Sequence, residues 1–233
     1  MMRKTRTIIS AALALGAGIF LSGCETGRKV AFIPPPPPQN YFSPITDGTA
    51  IRRVALLPAY NERCTEDVLR DVDSALNTEL TKKSLFEVVT VSRSAMESLF
   101  GKRELSSVDV LPANMLAKLR AAYGVNGVVL TDITSYSPYR PMSLGLRTKL
   151  VDAQSGAIRW AFDYLFDTGN PAVAKAAKMY QLKYSDDHLP LTTDGGTVLI
   201  SPSRFAKYVA NQTYASLSIS AENAPPIAEK SFH

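Results

Sequence analysis

Residues 143–167 read SLGLRTKLVDAQSGAIRWAFDYLFD. Leu144, Leu146, Thr148 and Leu150 alternate with Gly145, Arg147, Lys149 and Val151. Ile158, Trp160, Phe162, Tyr164 and Phe166 then take every second position. Successive side chains of a strand point to opposite faces, so period two on both sides of a Gly-containing turn marks a β-hairpin. The turn falls at residues 152–156. The aromatic side of the second strand is expected to pack on helices. Trp160 therefore reads as core rather than as a ligand-stacking platform. Arg147 and Lys149 lie on the opposite face, which reads as solvated or as a basic contact surface.

Upstream of the hairpin, strands and helices alternate. Residues 54–57 form a short apolar run stopped by Pro58, which fits a buried strand. Thr65 is placed to cap a helix in which Leu69, Val72, Leu76 and Leu80 recur at helical spacing. Lys82 and Lys83 near its end suit the helix dipole. Residues 86–91, FEVVTV, read as a second strand. Ser92 then caps a short helix through Phe100, ended by Gly101. Another helix begins near Pro112, carries Met115, Leu116, Leu119 and Tyr123, and stops at Gly124. Residues 127–133, GVVLTDI, form a third strand.

Downstream, residues 171–184 look helical. The sequence Asp194-Gly195-Gly196 predicts a small hairpin turn before a strand at 198–200. Ser201-Pro202 starts a last helix running to about residue 218, with Phe205, Val209 and Leu217 inward. Residues 221–233 contain Pro225 and Pro226 and are expected to fray. The order β-α-β-α-α-β-β-β-α calls for an α/β fold on a mixed sheet, in two or three layers.

The amino terminus reads as an address. Arg3, Lys4 and Arg6 precede a charge-free stretch from Thr7 to Leu21. About fifteen such residues are short of the ~20 that span a bilayer, and they fit a secretory signal. The stretch ends in Leu21-Ser22-Gly23-Cys24, which resembles the bacterial lipobox. That resemblance implies cleavage before Cys24 and lipid on its thiol. It also implies sorting by the next residue. Glu25 is not the aspartate that retains lipoproteins in the inner membrane, so the outer membrane, periplasmic face, is expected. The organisation is then residues 1–23 signal, 24–50 Pro-rich tether, 51–220 one α/β domain, and 221–233 tail. Pro34 to Pro38 is a run of five prolines, favouring extended polyproline II. The plain reading is a spacer; Val30, Phe32, Ile33, Tyr41 and Phe42 favour instead a Pro-rich recognition segment that packs on a partner or a neighbouring subunit, because a pure spacer needs no such residues.

The chain has 233 residues with 26 Lys+Arg against 21 Asp+Glu, a charge of +5 that invites a nucleic-acid reading. Removal of residues 1–23 takes away three of the basic residues and no acidic one. The mature 210 residues carry 23 basic against 21 acidic side chains, or +2. The electrostatic footprint of a nucleic-acid binder goes with the signal.

The catalytic inventory is thin. His188 and His233 are the two histidines, and Cys64 is the one thiol left after lipidation. Cys64 reads as a small buried residue, with pairing between chains as the alternative. Asp186-Asp187-His188 reads as a solvated loop rather than a metal site. Asp71 and Asp73 lie two apart on a helix, point in different directions, and read as a solvated face. No catalytic residue, metal ligand or cofactor site is expected.

Four segments in order carry a family resemblance: RRVALLPAYNE (52–62), FEVVTVSR (86–93), AAYGVNGVVLTDI (121–133) and LRTKLVDAQSGAIRWAF (146–162). The most telling are Val151-Asp152, Ser155-Gly156, Ile158 and Trp160 at the hairpin turn. Together they resemble the domain shared by the curli secretion channel CsgG, the penicillin-binding-protein activator LpoB, the amino-terminal domain of TolB and the export lipoprotein PelC. The resemblance spans about residues 52–167. It implies an anticodon-binding-domain-like α/β fold and a non-enzymatic periplasmic role in assembly or regulation. The expected function is that of an outer-membrane-anchored lipoprotein that binds an envelope protein partner, either a cell-wall synthase or export machinery. The alternative is a ring-forming homo-oligomer of an outer-membrane export apparatus. A curli-type pore needs membrane-crossing hairpins with strands of ~9–11 residues. The 143–167 hairpin is long enough but matches the soluble domain's own hairpin, and a 189–200 hairpin is too short. About 55 residues after the hairpin extend past a minimal LpoB-like domain.

Overall fold

The computed structural model describes residues 40–42, 51–184 and 195–217. The expected signal with Leu21, Ser22, Gly23, Cys24 and Glu25, most of the expected tether, residues 186–188 and residues 221–233 lie outside the described residues.

The strands are β1 (Asn40–Phe42), β2 (Arg53–Leu56), β3 (Glu87–Thr90), β4 (Gly127–Ser137), β5 (Ser143–Asp152) and β6 (Ile158–Asp167). The helices are α1 (Glu66–Lys82), α2 (Arg93–Phe100), α3 (Met115–Tyr123), α4 (Pro171–Tyr184) and α5 (Pro202–Thr213). Among the described residues one sheet holds these six strands in the order β1-β6-β5-β4-β2-β3. β3, β2 and β4 are mutually parallel, and β4, β5, β6 and β1 pair antiparallel. The α/β class and the mixed sheet are as the sequence predicts. The structure adds β1, which the sequence places in the tether.

The two faces are covered by different helices, giving three layers. On one face, α1, α4 and α5 bury Val54, Leu56, Leu144, Leu146, Trp160 and Phe162. On the other, α2 and α3 bring Met96, Met115 and Leu119 against Ala55, Val128 and Leu130. The hairpin alternation is realised as read. Trp160, Phe162 and Phe166 are buried and form a row, with ring centroids 6.1 and 6.3 Å apart. Phe166 meets Tyr208 of α5 edge-on at 5.8 Å. Trp160 also donates its indole N–H to Ser216 Oγ at 3.2 Å.

Local signals set the helix ends. Ser92 accepts from the Ala95 amide and caps α2, while Gly101 and Gly124 close α2 and α3 with left-handed backbone (φ 69° and 64°). Thr65 stands at the start of α1 with extended backbone, but its side chain makes no capping bond. The 195–200 region differs from expectation. It forms a 3-10 turn, Gly196–Leu199, instead of a hairpin. Val198 is fully buried and anchors the turn between α4 and α5. Gly195 (φ 69°) lies so close to α4 that a Cβ would stand 2.5 Å from the Lys178 carbonyl oxygen. That approach leaves no room for a paired strand.

α4 and α5 are tied to the amino-terminal half of the domain by Glu79 of α1. This carboxylate is 1% exposed. It accepts from Tyr180 Oη of α4 (2.8 Å), Asn211 Nδ2 of α5 (2.9 Å) and Lys82 Nζ (2.7 Å).

The hairpin turn is held by Asp152. Its Oδ1 accepts from the amides of Gln154 (2.8 Å) and Ser155 (3.0 Å), and its Oδ2 from Arg159 Nη2 (2.9 Å). Burial pushes its pKa up, but the two amides and the guanidinium outweigh that and hold it at about 2, below the ordinary 3.8. A depressed carboxylate adds stability above its unfolded pKa and loses it as pH falls through its folded pKa. The contribution at pH 7 is about 2 kcal/mol. Asp152→Asn should therefore lower unfolding free energy by about 2 kcal/mol at pH 7. The gap to the parent protein should narrow as pH drops from about 4 towards 2. Urea denaturation across that range reads both effects.

Candidate functional site

β2 is followed by α1 on one face, and β3 by α2 and α3 on the other. The carboxyl end of β2 is therefore a switch point, where neighbouring connections diverge and a crevice forms. The 57–65 loop leaves the sheet there. Two cavities flank it.

The first, about 220 Å³, lies between α1 and the β3–α2 junction, with Leu57, Pro58, Leu76 and Val91 on its walls. Its polar side is Asp73 and Arg93. Arg93, at the start of α2, donates to Asp73 of α1, to Glu104 Oε2 at 3.2 Å and to the Ala59 carbonyl at 3.0 Å. Asp73 Oδ1 accepts from the Ala59 amide at 2.8 Å. One guanidinium thus clasps the 57–65 loop, α1 and the α2–α3 connection. All three side chains are largely buried, at 11% exposure for Arg93, 23% for Asp73 and 19% for Glu104. Burial pushes the Asp73 and Glu104 carboxyls up, against the pull of Arg93. Burial also opposes the charge on Arg93, but its two carboxylate partners outweigh that and raise its pKa.

This corrects the sequence reading of Asp73 as part of a solvated face. The i, i+2 argument does separate the pair, since Asp71 is exposed. The missed signal is that Asp73 stands four residues after Leu69 and three before Leu76, on the inward stripe of α1. Its partner Arg93 is twenty residues away, and no local pattern announces it.

The second cavity, about 600 Å³ and open, is lined by Tyr60, Asn61, Glu62, Asp132, Thr134 and Arg147 among others. Asp132 accepts from the Ser107 amide (2.8 Å) and from Ser107 Oγ (2.5 Å). Lys149 Nζ donates to the Ser107 carbonyl at 2.6 Å. These bonds staple the α2–α3 connection onto the sheet. Arg147 pairs with Asp163 at 2.8 Å. Arg147 and Lys149 are half-buried and engaged, so they form neither a solvated face nor a free basic surface. Asn61 bonds the Ile133 carbonyl (2.7 Å) and takes the amides of Arg63 and Cys64 (2.8 Å each). Tyr60 Oη donates to Glu62 at 2.6 Å. That bond, with burial and nearby carboxylates, pushes the Tyr60 phenol up to about 12.

Cys64 is a free thiol, half-buried against the α1-side core. Burial, then Glu104, pushes its pKa up, which disfavours the reactive thiolate. Among the described residues no group of three or more His, Cys, Asp or Glu is placed to hold a metal ion. Leu21, Ser22, Gly23 and Cys24, expected as a lipobox, and Glu25, expected as the sorting residue, lie outside the described residues.

Replacing Arg93 leaves two buried carboxylates without a counter-charge. Arg93→Met should cost ~3 kcal/mol at pH 7. Both carboxyls already bind protons more readily in the folded state, and losing Arg93 enhances this. The variant should recover stability as pH falls from 7 to 5. The triple change Arg93→Met, Asp73→Asn, Glu104→Gln should recover stability at pH 7. Chemical denaturation at both pH values checks these outcomes.

No family model matches the chain, and no curated protein matches it. Solved structures do. The chain is similar to the PelC dodecamer of Paraburkholderia phytofirmans at 11% identity and TM-score 0.42, over 76% of this chain and 95% of that one. It is similar to a lipoprotein of Neisseria meningitidis at 15% identity and TM-score 0.38, over 57% and 98%. It is also similar to the carboxy-terminal domain of LpoB from Escherichia coli at 16% identity and TM-score 0.35, over 52% and 86%.

Proposed function

We propose that this protein is a lipid-anchored lipoprotein of the outer membrane, facing the periplasm, that acts by binding an envelope protein partner. The observation that carries the reading is the sequence Leu21-Ser22-Gly23-Cys24 at the end of a charge-free stretch behind Arg3, Lys4 and Arg6. Lipid on Cys24 supplies the anchor, and Glu25 directs the protein outward. Residues 24–50 hold the domain off the membrane, and residues 51–220 present the binding surface.

Binding rather than catalysis is supported by how the polar groups of the carboxyl edge are spent. Arg93, Asp73, Glu104, Asp132, Ser107 and Lys149 each hold one piece of the fold to another. Val108 beside the second cavity, Val110 in the α2–α3 connection and Tyr139 in the β4–β5 turn expose apolar surface, at 59%, 96% and 81%. Exposed aromatic and aliphatic side chains beside polar ones are the material of protein interfaces. The partner classes are a cell-wall synthase or an export machine.

Mass spectrometry of the mature amino terminus tests the anchor directly. The expected product begins at Cys24 and carries acyl groups. Cys24→Ala should leave an uncleaved precursor and remove the protein from the outer-membrane fraction. An unmodified Cys24 in mature protein overturns the reading. Sedimentation in detergent tests the mode of action. A monomer or small species supports partner binding, and a large homo-oligomer supports the ring-forming export component instead.

A further inference from the structure

β1 lies in the segment between the proposed anchor and the domain. Asn40, Tyr41 and Phe42 pair antiparallel with Asp163, Phe162 and Ala161. They cover the outer edge of β6, a ten-residue strand with four aromatic side chains. A long apolar strand edge is a hazard that proteins cover. The pairing is bracketed in sequence by Pro38 and Pro44, which have no N–H to give to a ladder.

The topology fixes where this places the chain. β1 runs opposite to β6, and β6 runs parallel to β4 and β2. β1 therefore ends at the sheet edge where β2 begins. Four strand spacings of ~4.8 Å, about 19 Å in all, separate the two strands. The step from Phe42 to Arg53 can span up to ~36 Å at ~3.3 Å per residue. The crossing is within reach, and it takes residues 43–50 out of the distance between anchor and domain.

We propose that β1 is a strap: docked on β6, it shortens the leash between lipid and domain. This rests on lipid attachment at Cys24. With β1 docked, the leash is residues 24–39 and reaches at most ~53 Å. With β1 released, it runs to β2 and reaches ~90 Å or slightly more. A three-residue strand is the smallest that pairs, and its hydrogen bonds are of the same size as the backbone entropy they must offset. Docking is therefore favoured by only a small energy over release, and any extended segment that takes the β6 edge lengthens the leash.

Directly opposed residues of an antiparallel pair stand close enough for a disulfide. The full-length chain with Cys64→Ser, Phe42→Cys and Ala161→Cys should form a bond within one chain on mild oxidation. A control with Phe42→Cys and Asp167→Cys should not. Absence of the first bond, or a bond joining two chains, overturns the strap. Peptide mapping separates this bond from any made by Cys24, so the arm does not depend on lipidation.

The second arm uses acylated protein on a supported bilayer, with the domain's height read by neutron reflectometry. The parent protein should match the disulfide-locked variant. Tyr41→Pro should give a broader profile extending past ~53 Å, together with at least tenfold faster hydrogen exchange at the β6 amides that face β1. A parent profile matching Tyr41→Pro overturns the shortened reach. Failure of any protein layer to form overturns the anchoring and the reach with it, while the disulfide still decides the docking.

Discussion

Glu79 is a carboxylate on the inward stripe of α1, cut off from water and facing two helices that arrive a hundred or more residues later. Burying a carboxylate costs several kcal/mol unless its oxygens are paired and hydrogen-bonded. Here both oxygens are occupied. Tyr180, Lys82 and Asn211 converge on it from α4, α1 and α5. Moving α4 or α5 away would strip that charge of the neutral donors that satisfy it in its buried setting. The segment that follows the 143–167 hairpin is therefore part of the core. It is the layer under which Trp160, Phe162 and Phe166 are sealed.

The clasp at Arg93 does for the middle of α1 what Glu79 does for its last turns. Glu79 ties α1 to two later helices, and Arg93 ties it to the 57–65 loop and the α2–α3 connection. Arg93 fixes the 57–65 loop and the α2–α3 connection, and these define the carboxyl edge. The edge consequently has a polar floor held by ion pairs and hydrogen bonds, with Val108 exposed beside it. Such a surface is suited to holding a shape for a partner, because its charged groups are already neutralised within the fold.

Much of the fold was legible because period and punctuation agree. The hairpin alternation, the Gly101 and Gly124 stops, and the Ser92 cap are local, and local signals survive folding. What the sequence hid are the long-range pairings. Asp73 and Glu79 both fall on the inward stripe of α1, so their burial was readable from spacing. Their partners were not, since Arg93, Tyr180 and Asn211 are brought in by topology. The 3-10 turn at Gly196–Leu199 was missed because two glycines fit a hairpin turn equally well. Only the closeness of α4 decides between them. β1 was hidden by the prolines around it. Three residues in a Pro-rich stretch carry too little periodicity to mark a strand, although Tyr41 and Phe42 were out of place in a spacer.

The same packing bears on the export alternative. A curli-type pore would need hairpin strands with an apolar face turned to lipid. The 143–167 hairpin has such a face, with strands of ten residues each. That face is spent. Trp160, Phe162 and Phe166 lie against Tyr214, Tyr208 and the rest of the α5 layer. Turning it outward would strip the burial from three large aromatic side chains, each worth roughly 2–3 kcal/mol. It would also uncover the apolar side of α5. The hairpin that defines this fold can serve as its core or as a membrane wall, and the aromatic row is already committed to the core.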